Sequence, residues 1–250
     1  MKPLATLPRA GLAPAPTLVA LASSRLMFFA AAQALISVGL ALAGDAEPWS
    51  RAVGWWPVAA GLANIASIAL LVRAARAEGV PLRSFFGERG RARQDVPYFL
   101  GVLLLVAPIA QLPNVLLADA LLGGAEEAFR MMSPPIPREA ALFGLLVFPV
   151  TIAFAELPTY YGYVLPRLEA AWGSRARALA VTAGFHSLQH ATLPLIFNGA
   201  FVVWRMLMFL PFAFFVGFVI QRRRSLLPYL MAVHALLDLT VAWMVFAAST

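Results

Sequence analysis

The sequence predicts an all-α protein, a polytopic bundle of about seven transmembrane helices, on three observations. Of its 250 residues, 61% are hydrophobic and 12% charged, whereas soluble domains carry about 25% charged residues. The charges also fall at span-length intervals. Nineteen uncharged residues separate Arg25 from Asp45, 21 separate Arg51 from Arg73, and 23 separate Asp95 from Asp119; a crossing helix needs about 20. Finally, basic residues crowd into alternate connections, as the positive-inside rule requires. Cys is absent and the single lysine is Lys2. Disulfides, thiolate nucleophiles, cysteine metal ligands and a lysine base inside the fold are therefore excluded.

The spans follow in order. Met1–Pro16 is rich in Pro and Ala and lacks a compact apolar run with a cleavage site, so a removable signal peptide is not expected. Spans are read at 26–44, 52–72, 97–118, 141–166, 178–197, 200–221 and 225–248, the sixth announced by the Asn198-Gly199 turn signal. Fifteen basic residues, Arg25 among them, fall in connections on one side. Arg51, Arg130 and Arg138 fall on the other, and Arg205 lies within the sixth span, snorkelling to the outer headgroups. This places the protein in a plasma or inner membrane with its N-terminus cytoplasmic and its C-terminus outside. It also assigns the net charge of +7 to topology and anionic lipid rather than to nucleic acid. The connection Gly79–Gln94, basic and carrying Phe85 and Phe86, reads as an interfacial amphipathic segment, and Gly123–Glu139 as an outer loop. No repeat or second domain is visible, so 1–250 reads as a single transmembrane domain.

The three histidines, His186, His190 and His234, all fall inside spans, as do Glu156 and Asp238. Ionisable groups at membrane depth are costly and mark functional sites. At about 1.5 Å per residue, Glu156 lies roughly 15 Å deep, His190 roughly 19 Å, His234 roughly 14 Å and Asp238 roughly 20 Å. Three helices thus present acid and imidazole groups at one level. His186 and His190 are four apart, as are His234 and Asp238, so each pair shares a helix face. A glutamate in apolar surroundings suits a general base, and a neighbouring imidazole can share its proton and orient a water. A second imidazole with a polar side chain one turn on can donate to an oxyanion. The set describes hydrolysis without a protein nucleophile. Gly-x-Ser-Gly, His-Glu-x-x-His and Gly-x-Gly-Asp sequences are absent, which removes the signatures of rhomboid-like, zincin-like and presenilin-like enzymes.

These residues resemble the CPBP family, the CAAX-protease and bacteriocin-processing intramembrane proteases, over about residues 97–245. The stretch Ala155-Glu156-Leu157-Pro158-Thr159-Tyr160-Tyr161-Gly162-Tyr163-Val164-Leu165-Pro166-Arg167-Leu168 is similar to that family's first motif, Glu-Glu-x-x-x-Arg and its continuation. Here the second glutamate is Leu157 and the arginine is Tyr161. Leu188-Gln189-His190-Ala191-Thr192-Leu193-Pro194 resembles the second motif, with His190 at its histidine and His186 where an aromatic stands. His234-Ala235-Leu236-Leu237-Asp238 meets the third, His-x-x-x-Asn/Asp. The resemblance implies a CAAX-protease-like bundle and an intramembrane endopeptidase in which Glu156 and His190 activate water while His234 and Asp238 stabilise the oxyanion. Tyr160, Tyr161 and His186 would stand behind them, either tyrosine replacing the lost arginine as a partner of Glu156. No cofactor is expected, because zinc prefers a compact set of four ligands. The alternative is zinc held by Glu156, His186, His190 and His234. Implied partners are membrane lipids and a membrane-embedded or lipidated peptide or protein substrate. Leu157 and Tyr161 keep a second reading open: a catalytically degenerate relative serving as membrane scaffold, regulator or immunity protein. A proton-coupled transporter would use the same groups, but short connections and no repeat weigh against it.

Overall fold

The computed structural model describes residues 13–87 and 92–250. The expectation for a signal peptide, and the basic residues Lys2, Arg9, Arg89 and Arg91, lie outside them. The described residues form helices and connections without strands. In chain order these are α1 (Ala15–Leu42), α2 (Pro48–Gly54), α3 (Trp56–Ala77), α4 (Ala92–Leu122), α5 (Ala125–Met132), α6 (Arg138–Leu157), α7 (Leu165–Trp172), α8 (Arg175–Leu188), α9 (Gly199–Arg222) and α10 (Leu227–Ala247). Short 3-10 turns cover Leu82–Phe85, Gln189–Thr192 and Arg224–Leu226, and a π-helical turn, Pro158–Val164, joins α6 to α7. Proline opens several helices, where its missing N–H costs nothing. Ser174 and Asn198 cap α8 and α9 by accepting from the N–H groups of Arg177 and Phe201. Asn198-Gly199 is thus a helix start.

Among the described residues six helices are long and apolar enough to cross a membrane: Ala15–Leu42, Trp56–Ala77, Arg93–Leu122, Arg138–Trp172, Gly199–Arg222 and Arg224–Ala247. The protein is a multi-span helical membrane protein. The expected fifth span, 178–197, is not a seventh long helix. It is α8, fourteen residues long, then the 3-10 turn Gln189–Thr192 and an irregular stretch to Asn198. This broken path nevertheless traverses the bundle. At one end Gln221 of α9 donates to Glu169 and to the Arg175 carbonyl, and Arg223 reaches Asp95 at the start of α4. At the other end the Thr250 N–H bonds the Ile136 carbonyl at 3.1 Å and the Arg138 N–H bonds Thr250. Arg73, Arg76, Arg93, Arg167, Arg175, Arg177 and Arg222 to Arg224 therefore collect at the first end, with Arg51, Arg130 and Arg138 at the second.

Non-helical backbone at this depth survives only where protein satisfies it, and here it does. Arg205 Nη2 donates to the Leu193 carbonyl at 2.5 Å and Arg205 Nε to the His190 carbonyl at 3.3 Å. Gln33 bonds both the N–H and the carbonyl of Leu195, at 2.8 and 2.9 Å. Arg205 is 6% exposed; it is an internal clamp and does not snorkel. Arg25 departs further from expectation. It is fully buried in the first turns of α1 and is no part of a connection, because the helix begins ten residues before it.

Buried apolar side chains form two clusters. The arginine-rich end holds Leu18, Ala22, Leu71, Phe85, Leu157, Tyr160, Tyr161, Leu226 and Met231. The opposite end holds Phe29, Ala63, Phe148, Ile152, Leu193, Phe201, Trp204 and Ala242. Four of the helices that contribute to both carry polar residues in the gap: Arg25 on α1, Asn64 and Ser67 on α3, Glu156 on α6, His234 and Asp238 on α10. The site is a polar layer between two cores.

Within the described part of the connection Gly79–Gln94, Phe85 packs inward while Arg83 and Ser84 are exposed. Phe85 is 1% exposed and meets the Tyr163 ring edge-on at 4.9 Å. Arg167 pairs with Glu78 and lies over both rings. The connection's backbone presses on the π turn so closely that a Cβ at Gly162 would stand 1.8 Å from the Phe85 carbonyl oxygen. Gly162→Ala is expected to cost stability at the upper end of the about 1–3 kcal/mol usual for overpacking, or beyond it. Gly184→Ala on α8, with nothing within 4 Å of its Cβ, is expected to be neutral or to gain up to about 1 kcal/mol. Thermal unfolding of both variants in detergent checks the contrast.

Candidate active site

Glu156 is 1% exposed, and both its carboxylate oxygens are engaged. Oε1 lies 2.9 Å from His186 Nε2 and 2.9 Å from His234 Nε2. Oε2 accepts from Gln189 Nε2 at 2.8 Å and from Arg25 Nη2 at 3.3 Å. Five chain segments supply these groups, and the order of chemistry follows from how each is held.

Arg25 is the cation of the layer. Its Nε donates to Gln189 Oε1 at 2.7 Å, Nη1 to Ser67 at 3.1 Å and Nη2 to Asn64 at 3.0 Å as well as to Glu156. Asn64 donates onward to Thr151. All of these partners are neutral except Glu156, so the guanidinium's charge is answered by that carboxylate alone at ion-pair distance. The arrangement also orients Gln189: with Oε1 accepting from Arg25, its amide nitrogen turns to Glu156. Tyr160, fully buried, reaches Gln189 Oε1 at 3.3 Å and the Ala22 and Phe185 carbonyls.

The imidazoles divide unlike the expectation. His186, expected to stand behind the site, touches the carboxylate directly; its ring stacks on Tyr160 at 5.0 Å between centroids, and its Nδ1 lies 2.7 Å from the Tyr161 hydroxyl. His190 is engaged elsewhere. Its Nδ1 donates to the His186 carbonyl at 3.0 Å, and its ring lies on Phe209 at 3.6 Å. The two rings remain neighbours, 5.8 Å apart between centroids; what differs is that His186 Nε2 reaches the carboxylate while His190 Nδ1 bonds back to the backbone. Neither tyrosine touches Glu156; Tyr161 reaches it through His186.

On α10, Nε2 of His234 lies between two carboxylates, 2.9 Å from Glu156 Oε1 and 3.4 Å from Asp238 Oδ2. This is the more open side of the layer, with side-chain exposures of 12% for His234 and 21% for Asp238. An ionised Asp238 has no hydrogen to give an oxyanion; its place suits an acceptor that orients His234, whose N–H is the donor there.

Zinc needs about four ligands at roughly 2.0–2.3 Å, and the residues present do not fit it. Among the described residues no three His, Asp or Glu side chains are grouped to hold a metal ion. His190 Nδ1 is spent on the His186 carbonyl, and a guanidinium occupies the other face of Glu156.

Sequence reasoning missed Arg25, Gln189, Asn64 and Ser67. The signal for Arg25 was present: apolar residues run on both sides of it, from Leu18 to Ala22 and from Leu26 to Ala32, so it interrupts a span and does not start one.

No protein-family model, curated protein or solved structure matches the chain.

Removing one member of a buried ion pair costs about 3–5 kcal/mol because the other is left uncompensated. Arg25→Met is expected to lose that much, and Arg25→Met combined with Glu156→Gln to regain a large part. A double-mutant cycle of unfolding in detergent measures the coupling.

Proposed function

We propose that the protein is an intramembrane endopeptidase of the CPBP type, hydrolysing a peptide bond with water activated by Glu156 in a plasma or inner membrane, its arginine-rich end cytoplasmic. The observation that carries the reading is the convergence of one glutamate with imidazoles from two other segments, His186 on α8 and His234 on α10, each 2.9 Å from the same oxygen. A carboxylate so placed can take a proton and pass it on, which is what general acid–base hydrolysis asks of it. The water and the scissile carbonyl are assigned to the His234–Asp238 side, where the layer is least covered. There His234, whose N–H rests on Glu156 Oε1, turns it to the developing oxyanion as the carboxylate takes the water's proton, and Asp238, 3.4 Å from the same nitrogen, is the anion that steadies the imidazole. Arg25 and Gln189 keep the carboxylate's other oxygen fixed throughout. The substrate is a membrane-embedded or lipidated peptide, since the site lies between two apolar cores about midway along the crossing helices.

A second reading, a non-catalytic scaffold, regulator or immunity protein, is favoured by Leu157 and Tyr161, which stand where the resembled motif has a glutamate and an arginine.

The test compares new protein N-termini in cells carrying wild type and Glu156→Gln. Gln keeps the shape and an oxygen that can still accept from Arg25, which Ala would not. The expected outcome is that a set of N-termini present with wild type disappears at equal levels of folded variant. Identical profiles would transfer the weight to the scaffold reading. His234→Gln is expected to reduce the same products by about 100-fold or more, the scale of a lost general acid–base partner.

A further inference from the structure

The hydrogen-bond chain behind Glu156 contains one acceptor too many. The Tyr161 hydroxyl has one proton, and it lies 2.6 Å from the Ala213 carbonyl, which can only accept. That proton is committed to Ala213. The Tyr161 oxygen then accepts from His186 Nδ1 at 2.7 Å, which places a hydrogen on Nδ1. A neutral imidazole carries only one N–H, so its Nε2 would face Glu156 Oε1 at 2.9 Å lone pair to lone pair. A further proton must occupy that gap. Tyr161 and His186 are each 1% exposed, so no bulk solvent supplies an alternative partner.

We infer that His186 is doubly protonated in the resting protein, an imidazolium held between Tyr161 and Glu156 as a stored proton. The carboxylate is kept ionised from its other contacts: Arg25 and Gln189 on Oε2, and the His234 N–H on Oε1. Tyr160 stacks on the His186 ring, His190 lies 5.8 Å away by centroid, and Phe212 closes the remaining side at 6.1 Å. None of these offers Nε2 an alternative partner, so the proton's acceptor is Glu156.

This inference deepens the hydrolytic reading and rests on it for its purpose. Water's oxygen bonds the carbonyl carbon, the C–N bond breaks, the departing nitrogen takes one proton and water releases one. A proton stored one hydrogen bond from Glu156 is available to the amine through Oε1, and the proton that water releases restores the store. His186 touches no substrate in this scheme; it is a positioning residue that holds the proton inventory.

The experiment reads the resting protein and needs no substrate. The full chain is labelled with 15N in its histidine rings, of which there are three, and placed in nanodiscs; the His186 signals are assigned by their loss in His186→Gln. The expected wild-type result is two ring nitrogens at His186, each with a directly bonded proton. One bare and one protonated nitrogen would overturn the inference. Glu156→Gln is expected to convert His186 to a neutral ring protonated at Nδ1, and Tyr161→Phe to a neutral ring protonated at Nε2. An imidazolium that persists in either variant would also overturn it. If a variant fails to fold, the wild-type spectrum decides alone. A cell without cleavage products but with a doubly protonated His186 would sink the protease reading and leave this inference standing.

Discussion

The pairing of Arg25 with Glu156 is the constraint around which the interior is organised. At 3.3 Å and an effective dielectric of 20, two unit charges attract by about 5 kcal/mol, and neither has another charged protein group as close except the imidazoles. Each alone would be an uncompensated ion between two apolar cores, which a marginally stable protein cannot absorb. Everything else in the polar layer follows from keeping that pair dry and satisfied. Asn64, Ser67 and Gln189 take three of the four remaining guanidinium hydrogens, and Thr151 takes the outlying amide hydrogen of Asn64. The two apolar clusters on either side exclude solvent, which strengthens each of these bonds. The layer therefore stabilises no fold by itself; it selects one helix arrangement, because only one register brings all five segments to the same carboxylate.

The broken crossing is the second consequence. Helix α8 gives way after Leu188 to the 3-10 turn that carries Gln189 and His190. From that turn Gln189 donates to Glu156 and His190 lies on Phe209. The carbonyls released by the break are taken by Arg205 and Gln33. Two buried polar residues that look expensive in isolation thus offset the cost of one irregular segment, and that segment positions two of the carboxylate's four partners.

Much of this was legible in the sequence, for definable reasons. Charge spacing identifies apolar segments, since a helix in lipid satisfies its own backbone and needs only length. Glu156, His234 and Asp238 stood out because ionisable residues are rare in such segments. What was illegible depends on tertiary satisfaction. Arg25 and Arg205 read as ends and anchors because charge was taken to mean water, whereas here each charge is met by protein groups. The choice between His186 and His190 turned on side-chain orientation, one ring reaching the carboxylate and the other its own backbone, which no spacing rule registers. The length of the fifth segment suggested a span; its Pro194 and run of polar residues were the signs that it would break.

Leu157 and Tyr161 can now be understood together. Set against the motif this stretch resembles, the chain lacks one anion and one cation, which leaves the layer's charge unchanged. The side chain at 157 is 1% exposed and belongs to the apolar core of the arginine-rich end, so a carboxylate there would need a counter-ion that Arg25, already committed, does not supply. The side chain at 161 reaches His186 and Ala213, a position from which a second guanidinium would press a cation against an imidazole that already faces one carboxylate from its other nitrogen. Both changes are therefore what the Arg25 pair permits. Once the cation for Glu156 arrives from α1, the π turn is freed to carry a hydroxyl, and a hydroxyl with its proton committed to Ala213 requires a hydrogen on His186 Nδ1.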